Sequence, residues 1–300
     1  VEPWLVVTRF VHYGASLVLF GLALFPLYSH GLVASRSAGS RAAALSLPVS
    51  LLVLISGILW FIGVATSMTE AEMSWETAGL MLTETSFGAV SLLRLGAAIT
   101  AIGILTWLLR GSPRKLGLPL VAICAVLLGS LAGVGHTQIE DGQAWAVHIL
   151  SDALHLLGAG AWLGGLVGLL GLIVTSLYGE MATDRRACEA ALNFSTMGYI
   201  AVATLVASGL INSWFLVSSV TNLITTSYGR LLLLKLVLFA VMVGLAGFNR
   251  FFVVPALLHS TATGPVLRRL LINVAAEQSL GFAIVLIVSL LGIIEPATTS

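Results

Sequence analysis

Long apolar runs alternate along the chain with short polar connections, a pattern that predicts eight membrane-spanning helices. The runs fall at roughly 5–29, 44–66, 87–109, 117–137, 150–177, 195–218, 230–254 and 277–294, each long enough to cross about 30 Å of hydrocarbon. After the second run, Met68, Ala71, Trp75, Ala78 and Leu82 recur at helical spacing with Glu70, Glu72 and Glu76 between them. This predicts a short amphipathic helix near 68–82 on the outer membrane surface. Its methionines read either as a feed for a soft metal or, with Trp75, as headgroup anchors.

The pattern is written twice. Thr85-Ser86-Phe87-Gly88 with Arg94 beyond it matches Thr226-Ser227-Tyr228-Gly229 with Lys235 beyond it. Upstream, Arg9 and His12 align with Asp152 and His155, and Gly21 with Gly164. Ser56-Gly57 aligns with Ser208-Gly209, and Gly133 with Gly292. The fold class expected is therefore an all-α integral membrane protein of two parallel four-helix repeats, at 1–137 and 144–296. An even number of spans leaves both termini on one side.

Composition places the protein in the membrane and charge orients it. The 300 residues are 58% hydrophobic and 9% charged, with mean hydropathy +1.04, whereas soluble domains carry about 25% charged residues. The net charge of +1 gives no sign of a nucleic-acid partner; the partner implied is the lipid bilayer. One set of connections holds Arg36, Arg41, Arg110, Arg114, Lys115, Arg185, Arg186, Arg250, Arg268 and Arg269. The opposite set holds Glu70, Glu72, Glu76, Glu84, Glu140 and Asp141, with Arg230. The positive-inside rule then puts the first set in the cytoplasm and both termini outside. The first run is too long for a signal-peptide core and reads as a retained span. Cys124 lies in an apolar run and Cys188 in a charged loop, so no disulfide is expected. No GxxxxGK[ST] stretch is present, which excludes coupling through that type of nucleotide site.

Ionisable residues inside the spans are costly and mark function or pairing. Arg9, His12, Arg94, Asp152, His155, Asn212 and Lys235 fall in the outer part of their helices, and His136 and His148 flank the loop at the outer mouth. His148, Asp152 and His155 stand at i, i+4 and i+7, on one helix face. The duplication predicts that His12 and His155 meet at a shared metal pocket between the halves. Imidazoles suit copper, zinc, nickel or iron, with Asp152 orienting a ring. The structural alternative is that each histidine hydrogen-bonds a neighbouring helix. Arg94 and Lys235 read as counter-charges to Asp152 or Glu84, or as holders of an anion. On the cytoplasmic side, Arg250 and Arg269 near Glu277 read as an ion pair or an inner gate.

Several motifs in order are familiar. The run Ser151-Asp152-Ala153-Leu154-His155 through Gly158-Ala159-Gly160-Ala161-Trp162-Leu163-Gly164-Gly165 resembles the signature of the bacterial copper resistance D (CopD/PcoD) family. So do Ser208-Gly209 with Asn212, Tyr228-Gly229-Arg230 leading to Lys235, Asn249-Arg250, and Arg268-Arg269 before Glu277. The resemblance implies an inner-membrane protein of copper homeostasis, not an enzyme, moving copper from periplasm to cytoplasm. It carries His155 and Asp152 over as polar positions of the fifth span. It also implies a separate periplasmic copper-binding protein for delivery. Imidazoles would suit Cu(II) and the loop methionines Cu(I). Two other readings stand beside transport. One is a haem-binding cytochrome-like oxidoreductase with propionates on Arg94 or Lys235. The other is a sensor that binds copper without moving it.

Overall fold

The computed structural model describes residues 3–29, 36–68, 75–110, 117–134, 142–178, 182–217, 219–259 and 263–294. Among these, eight helices are long and apolar enough to cross a membrane. The chain runs α1 (Pro3–Ser29), α2 (Arg36–Met68), α3 (Trp75–Glu84), α4 (Ser86–Leu109) and α5 (Gly117–Gly129), the last extended by a 3₁₀ turn at Ser130–Val134. It continues through α6 (Gly142–Leu177), α7 (Ala182–Val217), α8 (Val220–Thr225) and α9 (Ser227–Phe248). A π-helical turn at Asn249–Val253 leads into α10 (Val254–His259) and α11 (Thr263–Leu291).

Several helices outrun the apolar runs that predict them. α6 has 36 residues, about 54 Å at 1.5 Å per residue, well beyond the hydrocarbon thickness. Backbone hydrogen bonding carries the helix past the apolar stretch, through a first segment that includes Gln143 and His148. Arg268 and Arg269 consequently lie inside α11, and Cys188 inside α7, rather than in loops. Cys124 and Cys188 are both free, buried thiols. Within the range 68–82, where one amphipathic helix is expected, Met68 ends α2 and a short helix, α3, begins at Trp75. Residues 69–74 lie outside the described residues.

α1 and α6 form the centre of the bundle. Their contact needs glycine: a Cβ at Gly21 would fall on the backbone of Gly160 and Gly164, and one at Gly164 on the backbone of Leu17 and Gly21. Gly160, Gly164 and Gly168 stand four apart on one face of α6, opposite Leu17, Gly21 and Phe25. Small residues at that spacing let helices approach closely where lipid offers no hydrophobic drive. Residue numbers rise together along both helices at this contact, so α1 and α6 run parallel. The side on which both begin is called upper here.

The repeated Thr-Ser-aromatic-Gly motif has a structural purpose. Thr85 caps α4 by accepting from the Gly88 amide at 2.9 Å, and Thr226 caps α9 by accepting from the Gly229 amide at 2.9 Å. Each cap hydroxyl donates back to the preceding short helix, to Met81 O and Asn222 O. A Cβ at Gly88 or Gly229 would strike that helix's backbone. The motif therefore folds a short helix tightly onto the start of a span, with a side chain satisfying an otherwise orphaned amide.

Candidate functional site

Two polar clusters of the same local design stand in the upper half. On α1, His12 is 1% exposed, and its Nδ1 lies 3.1 Å from Ser56 Oγ of α2. On α6, the half-buried His155 has Nδ1 at 2.9 Å from Ser208 Oγ of α7. Each serine hydroxyl already donates its one proton to a carbonyl of its own helix, Leu52 O or Thr204 O. The serine oxygen must therefore accept, and the ring must donate from Nδ1–H. That tautomer leaves Nε2 of both rings as a lone-pair donor, the arrangement of a ligating histidine held by its other nitrogen. Gly57 and Gly209, next to the serines, leave room for the ring edges.

The two clusters differ in charge. Around His12 stand Trp60, with ring centroids 5.5 Å apart, and Arg94, whose guanidinium lies 4.7 Å above the same indole. Arg9 also approaches Trp60, at 5.8 Å, and bonds Gly292 O at 2.8 Å. Arg94 is 4% exposed and donates to Ser91 Oγ. Two cations on one indole make this a cation–π hub; the immediate neighbours of His12 (Ser56, Gly57, Trp60 and Arg94) include no acid. His12 Nε2 and Arg94 Nη1 are buried without a hydrogen-bond partner, beside a space of about 10 Å³, roughly the size of one water.

Around His155 the balance is different. Asp152 Oδ1 accepts from Asn212 Nδ2 at 3.1 Å. Lys235 lies within electrostatic range of both Asp152 and His155, and Tyr228 within range of Asp152. The face predicted from His148, Asp152 and His155 packs on α7, against Phe215, Asn212 and Ser208 respectively. His148, placed at the outer mouth by the sequence, is buried and stacked on Phe215 at 4.6 Å. His136 lies outside the described residues.

The structure corrects the expectation of one pocket shared by His12 and His155. Each precedes its interface glycine by nine residues, which is two and a half helical turns. With Gly21 and Gly164 in contact, both histidines must face away from the α1–α6 seam. The rings accordingly turn outward, to α2 and to α7. Among the described residues, no group of three or more His, Cys, Asp or Glu converges as a metal site. A porphyrin does not fit in the space beside His12 as the helices stand, and the cavity between α6, α7, α9 and α11 has no histidine in its wall.

On the lower side, Glu277 does not pair with Arg250 or Arg269. Its Oε1 accepts from Asn249 Nδ2 at 2.6 Å, and the Trp162 indole stands beside the carboxyl. Arg250 and Arg269 instead lie over Tyr199 and Phe248, at 5.9 and 5.1 Å. Sequence reasoning missed Trp60 as the hub and Trp162 as a neighbour of Glu277. A signal existed for Trp60, which stands four residues after Ser56 on the same face of α2.

Comparison with known proteins completes the picture. The model described as "Copper resistance protein D-like, N-terminal domain" matches residues 1–147, and that of "Copper resistance protein D" matches residues 189–291. Copper resistance protein D of Pseudomonas syringae pv. tomato is 30% identical over 309 residues, spanning 98% of this chain and 97% of its own. Inner membrane protein YebZ of Escherichia coli (strain K12) is 27% identical, spanning 96% of this chain and 97% of its own. Copper transport protein CutJ of Bacillus subtilis (strain 168) is 33% identical over 131 residues, 44% of this chain and 23% of its own. No solved structure matches. Similarity along nearly the whole of both chains, joined to the eight apolar helices, establishes that this chain belongs to the copper resistance protein D family.

Proposed function

We propose that this multi-pass inner-membrane protein serves copper homeostasis by accepting copper on its upper side and passing it across the bilayer. The names of its relatives support copper as the cargo, and the name of YebZ supports the inner membrane. The charge of the connections supports an upper side that faces the periplasm, and the resemblance to the copper resistance D family supports import as the direction. We read the two halves as copies of one unit, of which only the second is a copper site.

One observation carries this choice: in the His155 cluster Asp152 lies within electrostatic range of Lys235, whereas the described neighbours of His12 hold two cations on Trp60 and no acid. Asp152 offsets Lys235, so a copper ion at His155 meets a balanced field. At His12 the same ion meets Arg94 and Arg9 with no acid among the described neighbours, and charge repulsion in a poorly solvated site is strong. A site with one imidazole and one carboxylate binds weakly enough to release, as conduction requires. A separate periplasmic copper-binding protein would deliver the ion.

Copper uptake into proteoliposomes tests the proposal. Saturable uptake by the unaltered protein, lost in His155→Ala and largely kept in His12→Ala, is the expected result. Binding without flux would leave a sensor. Uptake that survives His155→Ala would remove the site.

A further inference from the structure

The lower half of the bundle holds a cavity of about 300 Å³ between α6, α7, α9 and α11. That is the lower end of the size range of small-molecule sites. α7 and α9 meet at few points, so the cavity reaches the lipid-facing surface between them, past the exposed Tyr199 and Phe251. Its walls are apolar and smooth, with Gly198 and Gly247 among them; a Cβ at either would meet nothing within 4 Å.

The floor is polar and fixed. Glu277 is 2% exposed, with Oε1 held by Asn249. Asn273 Nδ2 donates to Asn249 Oδ1 at 2.7 Å, which forces the Asn249 amide nitrogen toward Glu277. Asn249 opens the π-helical turn, and such turns often mark functional sites. Glu277 Oε2 is buried without a partner. An unpaired carboxyl oxygen facing an apolar chamber is costly, and a ligand that bonds it would relieve that cost.

The lining excludes copper as the occupant, because it offers no His, Cys or Met. It disfavours a phosphate headgroup, because the Arg250 guanidinium already lies over Tyr199. A single carboxyl oxygen can accept from a hydroxyl when ionised, or donate to a carbonyl when protonated. A quinone and its quinol present those two groups on one apolar ring and arrive through lipid. We infer that this cavity binds a membrane-dissolved amphiphile of the quinone or quinol type, its ring in the apolar chamber and one ring oxygen hydrogen-bonded to Glu277 Oε2. This site is distinct from the copper cluster and stands without it.

The test is binding of a decyl-substituted benzoquinone to the full chain in nanodiscs, corrected for partition into protein-free discs. Saturable binding is expected. Glu277→Gln keeps Oε1 for Asn249 and puts an N–H donor in place of Oε2, so it should keep quinone binding, whereas Glu277→Leu removes the bond and should weaken binding about tenfold. Gly247→Leu fills the chamber and should abolish binding while leaving the thermal midpoint unchanged. Binding no greater than in protein-free discs would overturn the inference. So would binding unchanged in Gly247→Leu, or dodecanol competing as well as a second quinone.

Discussion

Replacing Ser208 by alanine removes the hydroxyl bonded to the His155 ring and leaves the Leu205 carbonyl as its remaining partner. The 2.9 Å bond from Nδ1–H disappears, while Thr204 O keeps its helical backbone partner. The stability cost is that of one hydrogen bond, about 0.5–1.5 kcal/mol. The effect on copper should be larger, because a ring held by one backbone carbonyl alone is oriented less firmly. Losing such an orienting partner typically lowers metal affinity about 10–100-fold, equivalent to about 1.4–2.8 kcal/mol. The assay is copper retention by the protein in nanodiscs against a graded competing chelator, with thermal unfolding measured on the same samples. Ser56→Ala is the matched control: it removes the 3.1 Å bond to His12 and should lower stability equally, leaving copper retention unchanged. If copper affinity is unaltered in Ser208→Ala, or falls further in Ser56→Ala, the tautomer argument is wrong.

Other substitutions probe the frame and the charges. Gly164→Leu drives a side chain into the backbone of Gly21 and Leu17 and should cost about 1–3 kcal/mol or more. It should lower the unfolding midpoint, whereas Gly96→Leu, in open space, should not. Thr226→Val removes the cap of α9 and should cost about 1 kcal/mol, matched by Thr85→Val at α4, both read by thermal unfolding. Asp152→Asn keeps an oxygen for Asn212 but leaves Lys235 uncompensated; copper affinity should fall about tenfold, the effect of one charge at intermediate screening.

The eight spans were legible because apolar runs and charged connections obey bilayer thickness directly. The Thr-Ser-aromatic-Gly motif was legible as a repeat, although its purpose, a cap with a close helix approach, required coordinates. The face of His148, Asp152 and His155 followed from helical spacing and packs together on α7. The shared histidine pocket failed because alignment alone does not say which face meets the seam. The nine-residue interval to Gly21 and Gly164 held that information, once those glycines were known to touch. The ion pair expected at Glu277 failed for another reason: a π-helical turn rotates Asn249 inward, and no residue spacing announces that turn.

The most direct measurement is copper X-ray absorption on the purified, copper-loaded protein, with metal content determined on the same sample. The account predicts one copper per chain with imidazole scattering that vanishes, along with the metal, in His155→Ala and persists in His12→Ala. Copper held stoichiometrically with an unchanged spectrum in His155→Ala would contradict it.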